Sequence, residues 1–138
     1  MAFKGNFTCN SFLTAMFTSG VNFSTDPIKI ALYTNAATLD ETTTAYTSVG
    51  EVTAAGYTAG GLVLTPTITT VNRVAYVSFA NVLWNAAITA RGALIYKDGG
   101  PAICGLDFGA DKTSNVAFPI QFPPATADSA IIRSYSGA

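Results

Sequence analysis

The chain has 138 residues, with 7 basic and 8 acidic side chains and a net charge of −1. This length is sufficient for one domain with its own apolar core. The few, scattered basic residues argue against nucleic-acid binding, and no apolar run has the roughly 18 residues needed to cross a bilayer. We therefore expect no nucleic-acid partner and no membrane partner.

The low charge is the most informative feature of the composition. Charged residues make up 11% of the chain, against about 25% in ordinary soluble domains. Thr, Ser and Asn are abundant and keep a surface hydrated without charge, which would suit a neutral monomer. The interpretation that we favour is that large parts of the surface are covered by other protein chains.

The first predicted element is a helix from Asn10 to Thr18. Gly20 follows as a stop signal, and Asn10 or Ser11 is a plausible cap. Large apolar residues repeat at helical spacing along this segment, namely Phe12, Leu13, Met16 and Phe17. Two interpretations are open, because such a stripe either lies on the core or anchors a partner.

A strand with one buried side is predicted to begin at Ile28, directly after Pro27. One face of this strand carries Ile28, Ile30 and Leu32, and the other carries Lys29 and Tyr33.

A long stretch rich in Ala, Thr and Gly runs from Thr34 to Gly61 and has little periodicity. Its only large aromatic residues are Tyr46 and Tyr57. A stretch of this length is unusual inside a compact domain. We expect an ordered, outward-facing excursion that serves as a contact loop.

The rest of the chain is predicted to form short strands joined by turns. The strands are Leu62 to Thr65, Thr67 to Val71, Val74 to Phe79, Ala93 to Tyr96, Ala102 to Phe108, Phe118 to Phe122 and Ala130 to Tyr135. The turns are Val71 to Val74, Asp98 to Pro101 and Gly109 to Asp111. Pro119 places the Phe118 strand at a sheet edge or a bulge.

This pattern predicts an all-β fold, a jelly-roll-like β-sandwich with one short N-terminal helix. We interpret residues 1–138 as a single domain, with an N-terminal arm and helix at 1–22 and the β-sandwich at 28–135.

The sequence offers little for catalysis. It contains no histidine, which removes Ser-His-Asp and Cys-His nucleophile arrangements and the commonest metal ligand. Its two cysteines, Cys9 and Cys104, are too few for a structural zinc site, and we expect free thiols rather than a disulfide. We predict no enzyme, with no catalytic, cofactor-binding or metal-binding residues.

The acidic residues leave two alternatives open. Asp107 and Asp111, which flank a predicted turn, or the adjacent Asp40 and Glu41 could form a catalytic carboxylate pair. Asp98, Asp107 and Asp111 could instead form a calcium site. The interpretation that we favour is that they cap turns through their own backbone.

Several aromatic residues are candidates for protein contacts. Trp84 has apolar neighbours, so we expect it in the core rather than on a sugar-stacking surface. The predicted exposed contact residues are Tyr33, Tyr46 and Tyr57. The predicted arm residues, which reach a neighbouring chain, are Phe3, Phe7 and Phe12.

Taken together and in order, several segments resemble a group of small structural proteins of tailed bacteriophages. The resemblance covers most of the chain from Phe12 to Arg133. The segments that carry it are Lys29 to Thr34, Ala37 to Asp40, Thr43 to Tyr46, Gly56 to Gly61, Arg91 to Tyr96 and Leu106 to Thr113. The chain departs from the pattern at Val71 to Val74, where similar sequences often carry a longer loop.

The resemblance implies a virion component made in the host cytoplasm. For the best-understood members it implies a jelly-roll cement or decoration protein on the capsid exterior, with the major capsid protein as its partner. Low charge and a sheet edge also favour self-association, as a homodimer or another homo-oligomer. The alternatives are a phage tail or fibre component that mediates attachment and, third, a carbohydrate-binding jelly-roll module.

Overall fold

The computed structural model describes residues 5–18, 20–122 and 132–135, with the backbone alone for residues 133–135. The elements of this part of the chain are β1 (Phe7–Thr8), α1 (Asn10–Thr18), β2 (Ile28–Tyr33), β3 (Leu62–Val63), β4 (Pro66–Val71), β5 (Val74–Phe79), β6 (Val82–Trp84), β7 (Thr89–Lys97), β8 (Ala102–Thr113), β9 (Phe118–Ile120) and β10 (Ile132–Tyr135). The helix has the bounds that its apolar spacing predicts. None of the helices in these residues is long and apolar enough to cross a membrane.

The strands form three antiparallel sheets. The largest has five strands in the order β1-β8-β7-β2-β3, the second has the order β10-β5-β4, and the third pairs β6 with β9. The arrangement is an all-β sandwich with one short helix, which confirms the predicted fold class.

The inner face of the five-stranded sheet carries the main core. Alternate residues of β2 and β7 point to this side, as the period of two in a strand requires. The smaller sheets and α1 pack against them. Core residues from these elements include Ile30, Leu32, Ile95, Phe12, Val77, Phe79, Trp84, Phe118 and Ile120. Trp84 is 3% exposed, so its predicted place in the core is confirmed.

The outer face of the same sheet is covered as well. Ala31 and Tyr33 of β2 and Leu94 and Tyr96 of β7 form a second apolar cluster there, which Cys9, Ala37 and Leu39 complete. The expectation that β2 has one buried side is therefore wrong. The alternation along β2 is correct, but the chain supplies a cover for both faces.

That cover comes largely from the long segment between β2 and β3. Backbone bonds tie it to β2, since Thr34 N–H donates to Gly50 O and Val52 N–H donates to Leu32 O. Gly61 is required where the segment returns to the sheet: its φ is +82°, and a Cβ would stand 1.8 Å from Ile30 O. The segment is ordered, as expected, but it packs on the sheet instead of projecting outward.

Two of the three predicted turns are confirmed. Val71 pairs with Val74 around a two-residue turn, in which Asn72 has a φ of 54°. The turn after Asp98 joins β7 to β8.

The third predicted turn, at Gly109 to Asp111, is wrong. β8 continues through it to Thr113. Ala90 of β7 pairs with Lys112 of β8, and Gly92 pairs with Asp107. More residues of β8 than of β7 lie between these two pairs, so the extra residues of β8 form a bulge. Gly109 supplies a φ of +82° inside the strand. Glycine and aspartate here accommodate a bulge rather than a chain reversal.

The strand with Pro119 occupies an edge, as predicted. In the described residues, β9 pairs only with β6, and Pro119 lies opposite Leu83. Phe118 and Ile120 point inward and Pro119 is exposed. The short strands β1 and β6 are not predicted by the sequence, because two or three residues show too little periodicity.

Candidate interaction surfaces

The tyrosines predicted to contact a partner lie mainly inside the protein. Tyr33 is 0% exposed and Tyr57 is 9% exposed, while Tyr46 is half-buried. The expectation that Tyr33 and Tyr57 are exposed is wrong. Composition alone did not show that the segment carrying Tyr46 and Tyr57 folds back over the sheet.

These rings surround a buried carboxylate, Glu51. Tyr46 Oη donates to Oε1 at 2.5 Å, and Tyr57 Oη donates to Oε2 at 2.6 Å. The backbone N–H of Gly60 also donates to Oε2, at 2.8 Å. Tyr57 Oη in turn accepts the N–H of Leu32 at 2.9 Å. Both carboxylate oxygens are therefore occupied.

The phenols in this cluster stay protonated near neutral pH. Burial, together with the hydrogen bond to Glu51, raises the pKa of Tyr46 to about 12. Burial also raises the pKa of Tyr33 and of Tyr57 above the usual value. Neutral phenols that donate to a carboxylate fix the long segment in place. A cavity of 260 Å³ beside Glu51 and Tyr57 therefore borders a carboxylate whose two oxygens both already accept hydrogen bonds.

The predicted arm residues also have other places. Phe12 is 3% exposed in the main core, and Phe3 lies outside the described residues. Phe7 is half-buried in β1, and its ring occupies the space above Gly105, where an added Cβ would come within 2.1 Å of it. Because β1 pairs with β8, the expectation of a free arm is wrong from Phe7 onward.

The outward side of α1 is uncharged and exposes three large apolar side chains beside Asn10, Thr14 and Thr18. The helix points Phe12 and Ala15 into the protein. Its outer side exposes Leu13 by 46%, Met16 by 49% and Phe17 by 88%. Ser11 Oγ donates to Ala102 O at 2.8 Å, which ties the helix to β8. The side that carries Phe12 lies on the core, as one interpretation of the stripe predicts. Anchoring of a partner by the exposed side stays a prediction.

Other large apolar side chains are exposed at separate places. They are Val49, Val63, Ile68, Val71, Leu83 and Val116. Ile68 and Val71 belong to β4, whose six residues carry no charge. The sequence signal for this surface is the run from Pro66 to Val71, in which five consecutive β-branched residues follow the proline without a lysine or glutamate.

A groove of 440 Å³ runs between the end of β8 and β9. Its lining is mainly apolar, with Phe108, Phe118 and Ile120, and Lys112 stands beside them. A second hollow of 330 Å³ shares Phe108 and Ile120 with this groove and extends to Asn6. Phe122 and Gln121 also line this hollow. Apolar side chains thus line much of both hollows, and the second also contains Asn6, Asp107 and Gln121.

The aspartates predicted near turns have structural partners. Asp107 forms an ion pair with Arg91 and accepts the N–H of Gly5 and of Gly109. Partial burial opposes ionisation of Asp107, but these donors outweigh it and hold its pKa below the usual value. Asp111 accepts from Asn35 Nδ2 at 3.1 Å. Among residues 5–18, 20–122 and 132–135, no three His, Cys, Asp or Glu side chains group to hold a metal.

The two thiols are free and buried, as expected. Burial and the nearby Asp40 raise the pKa of Cys9 to about 12. Burial likewise raises the pKa of Cys104. Protonated thiols inside a protein pack as small apolar groups.

Comparisons with family models, with curated proteins and with solved structures give no significant match to this chain. The resemblance to phage structural proteins therefore stays a prediction.

Proposed function

We propose that this chain is a virion protein without enzymatic activity that decorates the exterior of a tailed-phage capsid. In this role it bridges subunits of the major capsid protein and so stabilises the head. The observation that carries the proposal is the outer side of α1, where Leu13, Met16 and Phe17 face solvent on a helix without charge.

Exposed large side chains of this kind favour a protein partner. Phe17 is 88% exposed, and full burial of a phenylalanine side chain contributes roughly 1.5–3 kcal/mol. That range corresponds to about a tenfold to hundredfold change in binding. A decoration protein repeats such a contact many times over a shell, so modest contacts suffice.

The carboxylates of Glu51 and Asp107 are engaged in contacts within the protein. Glu51 is held by Tyr46, Tyr57 and Gly60, and Asp107 is paired with Arg91. A carbohydrate-binding module would need exposed aromatic rings, but those of Tyr33, Tyr57 and Trp84 are buried. We therefore prefer a protein-binding role.

Capsid binding tests the proposal directly. Phage capsids that lack the protein are incubated with the purified chain, and the bound fraction is measured by sedimentation. We expect Phe17→Ala to weaken binding at least about tenfold, because the ring loses its contact with the capsid. The matched control is Val116→Ala, which truncates another apolar residue that is 77% exposed and should bind like the wild type.

Two outcomes would contradict this assignment. One is wild-type chain that fails to bind capsids, and the other is equal binding by the Phe17→Ala and wild-type chains. The number of copies in purified particles separates a capsid role from a tail or fibre role: a decoration protein is present in hundreds, and a tail part in a handful.

A further inference from the structure

In the part of the chain that the structure describes, β4 forms the edge of the second sheet. Among the described residues β4 pairs with β5 and with no other strand. The six pairs from Pro66↔Phe79 to Val71↔Val74 run without a register shift. The edge is therefore regular and lacks a bulge that would block another strand.

The hairpin geometry shows which backbone groups of β4 point outward. Val71 and Val74 flank a two-residue turn, and residues in that position exchange backbone hydrogen bonds. Because this orientation repeats at every second residue of a strand, Thr69 and Thr67 also turn their N–H and C=O groups toward β5. Ile68 and Thr70 consequently turn theirs toward the free edge.

The usual protections of an edge strand are missing here. Natural edges carry lysines, internal prolines, bulges or inward-pointing charges. Residues 66–79 contain one charged side chain, Arg73, which lies in the turn, and Pro66 is the first residue of the strand. The exposed run is rich in Thr, Ile and Val, which favour strand pairing.

We propose that the free edge of β4 pairs antiparallel with the β4 edge of a second copy of this chain, and joins the two three-stranded sheets across a two-fold axis.

Charge and symmetry favour a second copy as the occupant. An uncharged strand meets an identical uncharged strand, so no charge is left unpaired. If the axis passes near Thr69, Ile68 of one copy lies opposite Thr70 of the other, and their outward N–H and C=O groups find partners. The two Arg73 side chains then stand at opposite ends, more than about 20 Å apart at 3.3 Å per residue. A parallel pairing would bring them together.

This pairing uses a different surface from α1 and does not depend on capsid binding. The two proposals can therefore fail separately: the β4 variants report self-association in solution, and the Phe17 variant reports the capsid contact.

Sedimentation of the full chain over the micromolar to millimolar range tests the proposal. We expect a dimer whose dissociation constant rises about tenfold or more in Ile68→Lys, since lysine protects an edge against pairing. Thr70→Pro should act similarly, because it removes an outward donor while the β4–β5 ladder keeps its own bonds. The matched control is Leu83→Lys, because Leu83 is an apolar strand residue and, like Ile68, is 50% exposed. This variant should dimerise normally.

Amide hydrogen exchange provides a second readout that does not need a variant. The N–H groups of Ile68 and Thr70 should exchange more slowly as protein concentration rises. A wild-type chain that stays monomeric overturns the proposal. The proposal is also overturned if Ile68→Lys and Thr70→Pro both dimerise like the wild type. An equal loss of dimer in Leu83→Lys would overturn it too.

Discussion

At the scale of single residues, the buried side chain of Glu51 accepts three hydrogen bonds. Its carboxylate accepts from Tyr46, Tyr57 and the N–H of Gly60, and Tyr57 also accepts from Leu32 in β2. One charged group thus connects the segment between β2 and β3 to the sheet. Buried charges are tolerated when hydrogen bonds satisfy their acceptor positions.

Replacement of Glu51 should therefore reduce stability even where shape is kept. In Glu51→Gln an NH2 group, which cannot accept a hydrogen bond, replaces one carboxylate oxygen and faces a donor. We therefore expect a loss of about 1–3 kcal/mol in the free energy of unfolding. Urea denaturation measures it. Glu41→Gln makes the same chemical change at an exposed position and should leave the midpoint unchanged. An unaltered midpoint in Glu51→Gln would show that the cluster does not secure the segment.

At the scale of elements, β1 is part of the sheet rather than a free arm. Phe7 pairs with Gly105 and Thr8 pairs with Cys104. Cys9, which follows, is fully buried, and its C=O accepts from Phe12 and Leu13 at the start of α1. The strand therefore positions the helix whose outer side we propose as the capsid contact.

Deletion of residues 1–10 should destabilise the fold. The deletion removes the Phe7 ring over Gly105 and the buried Cys9 side chain, so we expect at least about 2 kcal/mol less stability. Thermal unfolding followed by circular dichroism checks this. A chain that starts at Gly5 keeps β1 and serves as the control. Equal melting temperatures for the full chain and the chain that starts at Ser11 would refute the structural role of β1.

At the scale of the whole molecule, the five-stranded sheet is buried on both faces. Cys104 belongs to the main core and Cys9 to the outer cluster. Both thiols have raised pKa values through burial, so neither reacts readily as a thiolate in the folded state.

Thiol labelling should consequently follow unfolding of the whole molecule. At neutral pH we expect both cysteines to react slowly with a thiol reagent, at rates that rise together when urea is added. Mass spectrometry of the labelled chain measures each site. Val116→Cys, at a residue that is 77% exposed, should add one fast-reacting thiol. Rapid labelling of Cys9 or Cys104 in the native chain would show local opening of one cluster.

The sequence by itself determined the class of fold and the main elements. Helical spacing from Phe12 to Phe17 located α1, and alternation located β2. Runs of β-branched and aromatic residues between turns located β5 and most other strands. The turn at Asn72 and the edge position of Pro119 followed from backbone chemistry that is local to those residues. Such features depend on near neighbours in the chain, which a sequence displays directly.

Only the tertiary structure decided which surfaces are covered. The alternation of β2 did not show that the segment between Thr34 and Gly61 covers its second face, or that Tyr33 and Tyr57 are buried with Glu51. In the same way, the apolar stripe of α1 did not show that Phe12 points inward and Phe17 outward. Burial depends on contacts between residues far apart in the chain, and hydrophobic periodicity alone does not specify these contacts.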